Sequence, residues 1–407
     1  MSNSLLTITM ITREAVRLWK NSNAFMQNVD MQYDDSFAVE GAKIGTALNI
    51  RLPNDYTVRT GPALQIQDTV EQQTTLVLAT QKGVDVAFST QQRTMSLDDY
   101  SRRVLAPMVN NLAGNIAVDL MSGIEGGICN FVANQDTNNN LLSPVLSTYL
   151  NAGASLDINS APNANRKVVN GPRTEARVVS SLAGLLNPNT QIGDQYITGR
   201  MYDAAGYIWM KDQTNIIHTN GTMPQNSATV NGANQTGLAL TVTALSYTFN
   251  QGDIITIAGV NKVNRITKTD TGELEQFVVT QPAAVGATTL YLYPAIVPSS
   301  GGLPVQYQTV TASPAASAAI NPTNGFGASQ KYRKNFVYSP EAVTMAVADM
   351  EIPKNVQEAW RESFDGISMR MVTQYVIGTD QLPTRLDVLY GYLWVRPEWA
   401  CVVADVV

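Results

Sequence analysis

Acid–base catalysis and metal binding draw first on imidazole, and these 407 residues hold one histidine, His218, in the stretch IIHTNG. One imidazole excludes a multi-histidine metal site and leaves no second one to share proton transfer. His218 reads as structural. Cys129 and Cys401 have no CxxC spacing, so they read as reduced, buried thiols of a chain that folds in cytoplasm. The carboxylates Asp34-Asp35 and Asp98-Asp99 are adjacent pairs without a third ligand nearby. Neither GxxxxGK nor GxSxG occurs, and GFGAS at 325–329 lacks the third glycine of a dinucleotide turn. A carboxylate pair for glycoside hydrolysis leaves no local signature, and nothing points to one. Lys331, Arg333 and Lys334, with Tyr332 and Phe336 interleaved, have the types needed to grip phosphates. A short solvated strand edge has the same pattern and is the preferred reading.

With chemistry thin, the elements carry the argument. Hydrophobic residues make up 44% of the chain, as in a globular protein, but charged residues only 15%, against roughly 25% in ordinary domains. A surface so poor in charge resists self-association weakly, although loops rich in Asn and Gly would give the same composition. The net charge of −6 sets up no field that attracts nucleic acid. No stretch reaches the roughly 18 apolar residues of a membrane span, and MSNSLLTITMITREAVRLWK does not read as a signal peptide.

TREAVRLWKNS predicts a short amphipathic helix with Ala15, Leu18 and Trp19 on one side. Trp19 is then tucked into its own domain or docked on a neighbour. KIGTALNIRLP leads out and TTLVLATQKGVDVAF returns, with a polar stretch between them. This predicts a long two-stranded excursion that needs something to lie on. From an N-cap at Ser96, apolar residues recur at Leu97, Tyr100, Val104, Met108, Leu112, Ile116, Leu120 and Ile124. They predict a helix of about 28 residues, roughly 42 Å long, with Pro107 kinking it or marking a junction within it. Residues 130–172 read as loops, and GPRTEARVVSSLAGLLNPN as a strand, then a short helix stopped at Pro188.

Composition turns Thr-, Val- and Gly-rich from Met223 to Pro322. LALTVTAL, DIITIAGV, KVNRIT, QFVVT, TTLYLYP and VQYQTVT are strand candidates of a small antiparallel barrel. All its charges fall between Asp253 and Glu275, so KTDTGELE, 268–275, is its charged tip. SPEAVTMAVADMEIP predicts a helix capped by Ser339. RLDVLYGYLWVRPEWACVV is apolar on both faces of a strand, with Val388, Tyr390, Tyr392 and Trp394 on one and Leu389, Leu393 and Val395 on the other. Its first half belongs inside a body, covered on both sides. Pro397 belongs at an edge or bulge, and Arg396 and Glu398 mark emergence from the core.

This order of elements resembles the major capsid proteins of tailed double-stranded DNA phages, with the Hong Kong 97-like fold. It is most similar to podovirus coat proteins that carry an inserted β-barrel. The resemblance rests on ITGRMYDAAGYIWMKDQTNIIHTNG, on FNQGDIITIAGVNKVNRITKTDTGELEQFVV, and on NFVYSPEAVTMAVADMEIP with the closing segment. It implies an α+β Hong Kong 97-like capsid fold. The N-terminal arm would be 1–37, the extended β-hairpin loop 38–90, and the spine helix with the peripheral domain 91–150. The axial domain would take 151–222, the inserted antiparallel β-barrel 223–322, and the closing axial/peripheral part 323–407.

The resemblance further implies a shell protein with no catalytic activity, cofactor or metal. Such a protein assembles with itself as pentamers and hexamers around a scaffolding protein, in the host bacterial cytoplasm. The resulting procapsid expands into the capsid of the virion. It has a portal at one vertex, packages double-stranded DNA without sequence-specific binding, admits a decoration protein and involves no membrane. Subunit contacts would involve Trp19 on the arm and Asp55, Tyr56, Arg59 and Gln65 on the extended loop. Lys268, Asp270, Glu273 and Glu275 would act at the barrel tip, and Arg396 and Glu398 at the closing break. The alternative is a surface or secreted β-rich adhesin, which would need an export signal and exposed aromatic platforms.

Overall fold

The structure, a computed structural model, describes Ala15, Ile66 and Met201, and residues 25–30, 47–64, 71–89, 106–123, 126–181, 203–300, 305–323, 327–364 and 367–407. The chain divides into two compact units. One comprises Met1–Arg51, Gln73–Leu120 and Val343–Val395, and the other Leu52–Gln72, Met121–Ala342 and Arg396–Val407.

The first unit is organised by the 14-residue strand Gln381–Trp394. It pairs antiparallel with Thr80–Ser89, Ile367–Thr373 and Val343–Ala348, and Glu358–Phe364 extends the sheet beyond Ile367–Thr373. Leu386, Val388 and Tyr390 are fully buried. The double-sided apolar pattern thus marks an internal strand, as its sequence indicates. The helix Ala106–Gly123, α1, buries Met108, Val109, Leu112, Ala113, Ile116, Ala117 and Leu120. Its 18 residues span about 27 Å. The expected start at Ser96 lies outside the described residues, and so does the chain just before Ala106; Pro107 is the second residue of the described helix. Ala47–Arg51 pairs with Gln73–Val77 in register from Ala47↔Val77 to Arg51↔Gln73, as the outgoing and returning stretches predict. The described residues between them form no strand, so the two-stranded part is shorter than expected. Gly391 is needed here, because any Cβ would run into the Val77 carbonyl.

In the second unit, a seven-stranded sheet runs in the order Asn130–Val132, Ala400–Val406, Lys331–Tyr338, Lys167–Asn170, Tyr207–Lys211, Asp203–Ala204, with Ile217–Thr219 also on Lys331–Tyr338. Helices α2 (Leu146–Ile158) and α3 (Pro172–Ser181) accompany it. Tyr149, Ala152, Leu156, Val168, Val178, Trp209, Val337, Cys401 and Val403 form its core.

A six-stranded antiparallel sheet follows the order Ala228–Thr229, Ala319–Pro322, Ile254–Val263, Asp270–Val279, Thr289–Ile296, Gly237–Thr241. Its first and last strands are joined by a Val230↔Val242 bridge and by Asn231 N donating to Thr241 O at 3.0 Å.

Several expectations are corrected. Residues 339–348 are not a helix: Pro340–Ala342 is a 3-10 turn and Val343–Ala348 a strand. Val343, Met345 and Val347 are buried by pairing with Leu389–Trp394. Residues 130–172 are not only loops, because Tyr149, Ala152 and Leu156 recur at helical spacing and bury one face of α2. The strand before α3 lies earlier than expected, and Pro172 opens the helix. Its stop at Pro188 falls outside the described residues. Lys331–Tyr338 is a central strand, not a solvated edge: Lys334 is 2% exposed and Phe336 fully buried. DIITIAGV and the start of KVNRIT form one strand, Ile254–Val263. VQYQTVT gives a 3-10 turn and one bridge at Val310, while Ala228–Thr229 and Ala319–Pro322 complete the six.

Candidate contact surface

The segment 52–64, with Ile66, leaves its larger apolar side chains in solvent. Tyr56, Val58, Leu64 and Ile66 are 60%, 96%, 79% and 84% exposed. So much exposed apolar surface on one short stretch makes it the candidate contact surface. Arg59 donates to the Gly61 carbonyl. Trp19 and Gln65 lie outside the described residues.

Asp55 is anchored. Its Oδ2 accepts from Arg265 Nε at 3.1 Å and lies 3.0 Å from Nη2. The same guanidinium donates from Nη1 to Glu398 Oε1 at 2.6 Å. Glu398 is held by the Tyr293 hydroxyl at 3.2 Å and by Arg396 at 3.5 Å. Arg396 is itself buried and stacks over Trp399 at 4.5 Å. Burial works against the Arg265 charge, yet Glu398 and Asp55 outweigh it and raise its pKa. Burial lowers the Lys268 pKa, and nearby Asp55 opposes the shift. Burial, with Glu398 next, raises Tyr293 well above its ordinary value. Asp55, Lys268, Arg396 and Glu398, four residues singled out from sequence, thus gather at Arg265, which sequence reasoning missed.

The charged turn divides. Asp270 and Glu273 are exposed. Asp270 accepts from Gly272 N at 2.8 Å and Asn261 Nδ2 at 3.0 Å, and these bonds hold its carboxyl below the usual range. Glu275 does not belong to an exposed tip. It is 4% exposed on the strand Asp270–Val279, where burial pushes its carboxyl up to about 7 while Lys262 pulls it down. Lys262 Nζ donates to Asn130 Oδ1 at 3.1 Å. The Gln276 amide accepts from Phe131 N at 2.7 Å and donates to Phe131 O at 3.0 Å. His218 Nε2 lies 2.9 Å from Asp253 Oδ1, and Asp253 also accepts from Gly221 N at 3.0 Å and Asn250 N at 2.8 Å. The six-stranded sheet is therefore pinned to the seven-stranded one at two places, and His218 serves as one of the pins.

Among the described residues no group of three His, Cys, Asp or Glu side chains is placed to hold a metal. Burial pushes the Cys401 thiol up to about 12 and Cys129 still higher, so both stay protonated. The arrangement offers contacts: a solvent-facing apolar segment, a charged turn, and an arginine hub joining the segment to the closing break.

Residues 49–403 match the family model described as P22 coat protein, gene protein 5. Solved structures similar to the chain include Mycobacterium phage Che8, at 10% identity over 94% of this chain and 90% of that one, TM-score 0.48. The capsid of the cyanophage P-SCSP1u is similar at 11% identity over 89% and 84%, TM-score 0.45. The CUS-3 coat protein I-domain is similar at 34% identity over 25% of this chain and 99% of that one, TM-score 0.20. No curated protein matches.

Proposed function

We propose, because the chain belongs to the P22 coat protein family and is a structural major capsid protein of a tailed phage, that it builds the head as pentamers and hexamers with the Hong Kong 97-like fold. The family match over residues 49–403 carries this reading and displaces the adhesin alternative. The protein is part of the virion. Its role is structural, and no catalytic activity is proposed. In this reading 1–37 is the arm, 38–90 the extended loop, 91–150 the spine helix and peripheral domain, 151–222 and 323–407 the axial and closing parts, and 223–322 an inserted barrel. The joined ends of the six-stranded sheet support the barrel assignment.

A procapsid forms around a scaffolding protein in the host cytoplasm and expands as double-stranded DNA enters through a portal vertex. A decoration protein is compatible with the shell. Tyr56, Val58, Leu64 and Ile66, exposed in the single chain, are covered by a neighbouring subunit, with Arg59 and Gln65 beside them. Trp19 contributes from the arm, and Asp270 and Glu273 reach across between capsomers. Lys268, Glu275, Arg396 and Glu398 act on that contact from within the chain, through the arginine hub and the buried base of the turn.

The test is expression with and without the scaffolding protein, followed by sedimentation velocity and imaging of the heavy fraction. Closed shells with scaffold, and aberrant spirals without it, are expected. A species that stays monomeric at every concentration in both cases overturns the reading.

A further inference from the structure

Residues 52–64 form no strand among the described residues, yet the base of this segment is not free. Two nitrogens of the Arg265 guanidinium converge on Asp55 Oδ2, at 3.1 and 3.0 Å, and the third is committed to Glu398 at 2.6 Å. Planar forks of this kind fix geometry as well as supplying attraction. The far side of the fork is anchored, since Tyr293 and Arg396 hold Glu398. Tyr307 reaches Asn54 at 3.5 Å, beside the same carboxylate. The three charged side chains of the fork are 20 to 28% exposed, so water competes for them and the contact can open without the sheet unfolding.

We propose that Arg265 is a latch that holds the base of the 52–64 segment against the six-stranded sheet in the free chain. The latch fixes how Tyr56, Val58 and Leu64 are presented. A lysine at 265 reaches one carboxylate only, because its ammonium is a point charge without a fork. The latch is a property of the single chain and goes beyond the shell reading. Its failure and the failure of shell assembly are therefore read in separate experiments.

The experiment is limited tryptic digestion of the unassembled full-length chain. It follows cleavage after Arg59 as the report on the segment and cleavage after Lys262 as the report on the sheet. Opening that is fast relative to cleavage makes the first rate track the latch equilibrium. Arg265→Gln and Asp55→Asn are each expected to speed cleavage after Arg59 about tenfold, the effect of losing a charge-assisted contact, and Arg265→Lys less. The double variant is expected to be cleaved no faster than Arg265→Gln alone, because both changes remove one interaction. Unchanged cleavage in Asp55→Asn overturns the latch. So does an additive double variant, or equal acceleration after Lys262. Asp55→Asn alone keeps the test decisive if Arg265→Gln disturbs the sheet.

Discussion

The six-stranded and seven-stranded sheets share one unit and weight apolar and polar burial differently. The first has an apolar interior: Phe249, Ile255, Ile257, Phe277, Leu290, Leu292 and Ile320 are all buried. The second buries Asn170, Glu175, Lys334, Asn335 and Asp405 and wires them together. Asp405 accepts from Thr174 at 2.7 Å and Arg177 at 2.8 Å, and Glu175 from Asn170 at 3.0 Å. Asn335 accepts from Gly171 N at 3.0 Å and donates to Val403 O at 3.2 Å. Apolar packing is non-directional, and it suffices where joined ends already fix which strand neighbours which. An open sheet of mixed direction has no such closure. Buried hydrogen bonds, each useful only with its own partner, hold its strands in order instead.

The largest effect should fall on the apolar side. Phe277→Ala is expected to destabilise the six-stranded sheet by about 4 kcal/mol, with urea unfolding losing its cooperativity while α2 and α3 keep their far-UV signal. Simultaneous loss of both would break the comparison.

Next comes pH. The Glu275 acid is raised in the fold to about 7 from 4.5. Its contribution is fully present below pH 4.5 and is lost as pH rises through 7, with a ceiling of about 3 kcal/mol. Glu275→Gln should flatten that part of the stability–pH curve and leave the variant more stable than the parent at pH 8. A curve with the parent's slope would show that the acid is already neutralised by its surroundings.

Asp405→Asn should cost about 2 kcal/mol, since the fully buried carboxylate gives up its charge-assisted bonds from Thr174 and Arg177. The loss should appear in the seven-stranded sheet first, as faster hydrogen exchange over 400–406 than over 254–263. The smallest effect is Glu273→Gln on the exposed turn. It should leave the single chain unchanged in a denaturant titration while slowing shell assembly measured by light scattering.

Local pattern announced what local forces decide. The strand character of Ile254–Val263 was readable from its β-branched apolar residues, and the double-sided run in Gln381–Trp394 from the lack of a polar face. Residues 339–348 were misread because Ser339-Pro340 is a genuine start signal and the apolar spacing fits a helix as well as a strand. Pairing with Leu389–Trp394, remote in the chain, decided it. α2 was hidden by its Asn, Gly and Ser content, although Tyr149, Ala152 and Leu156 carried the helical period. Glu398 could be picked as part of a charged break, and Asp55 as a contact residue on the extended loop. Their meeting at Arg265 spans 210 and 133 residues, and no local rule reports such a distance.

Joining the first and last strands of the six-stranded sheet has a consequence during synthesis. Many copies of a coat chain leave neighbouring ribosomes together, each carrying strands still seeking partners. Once Val230 has met Val242, the outer strands of that sheet are engaged with each other and less open to a half-made copy beside them. In a crowded polysome, the part of the molecule that closes on itself is the part less open to capture by the wrong sister.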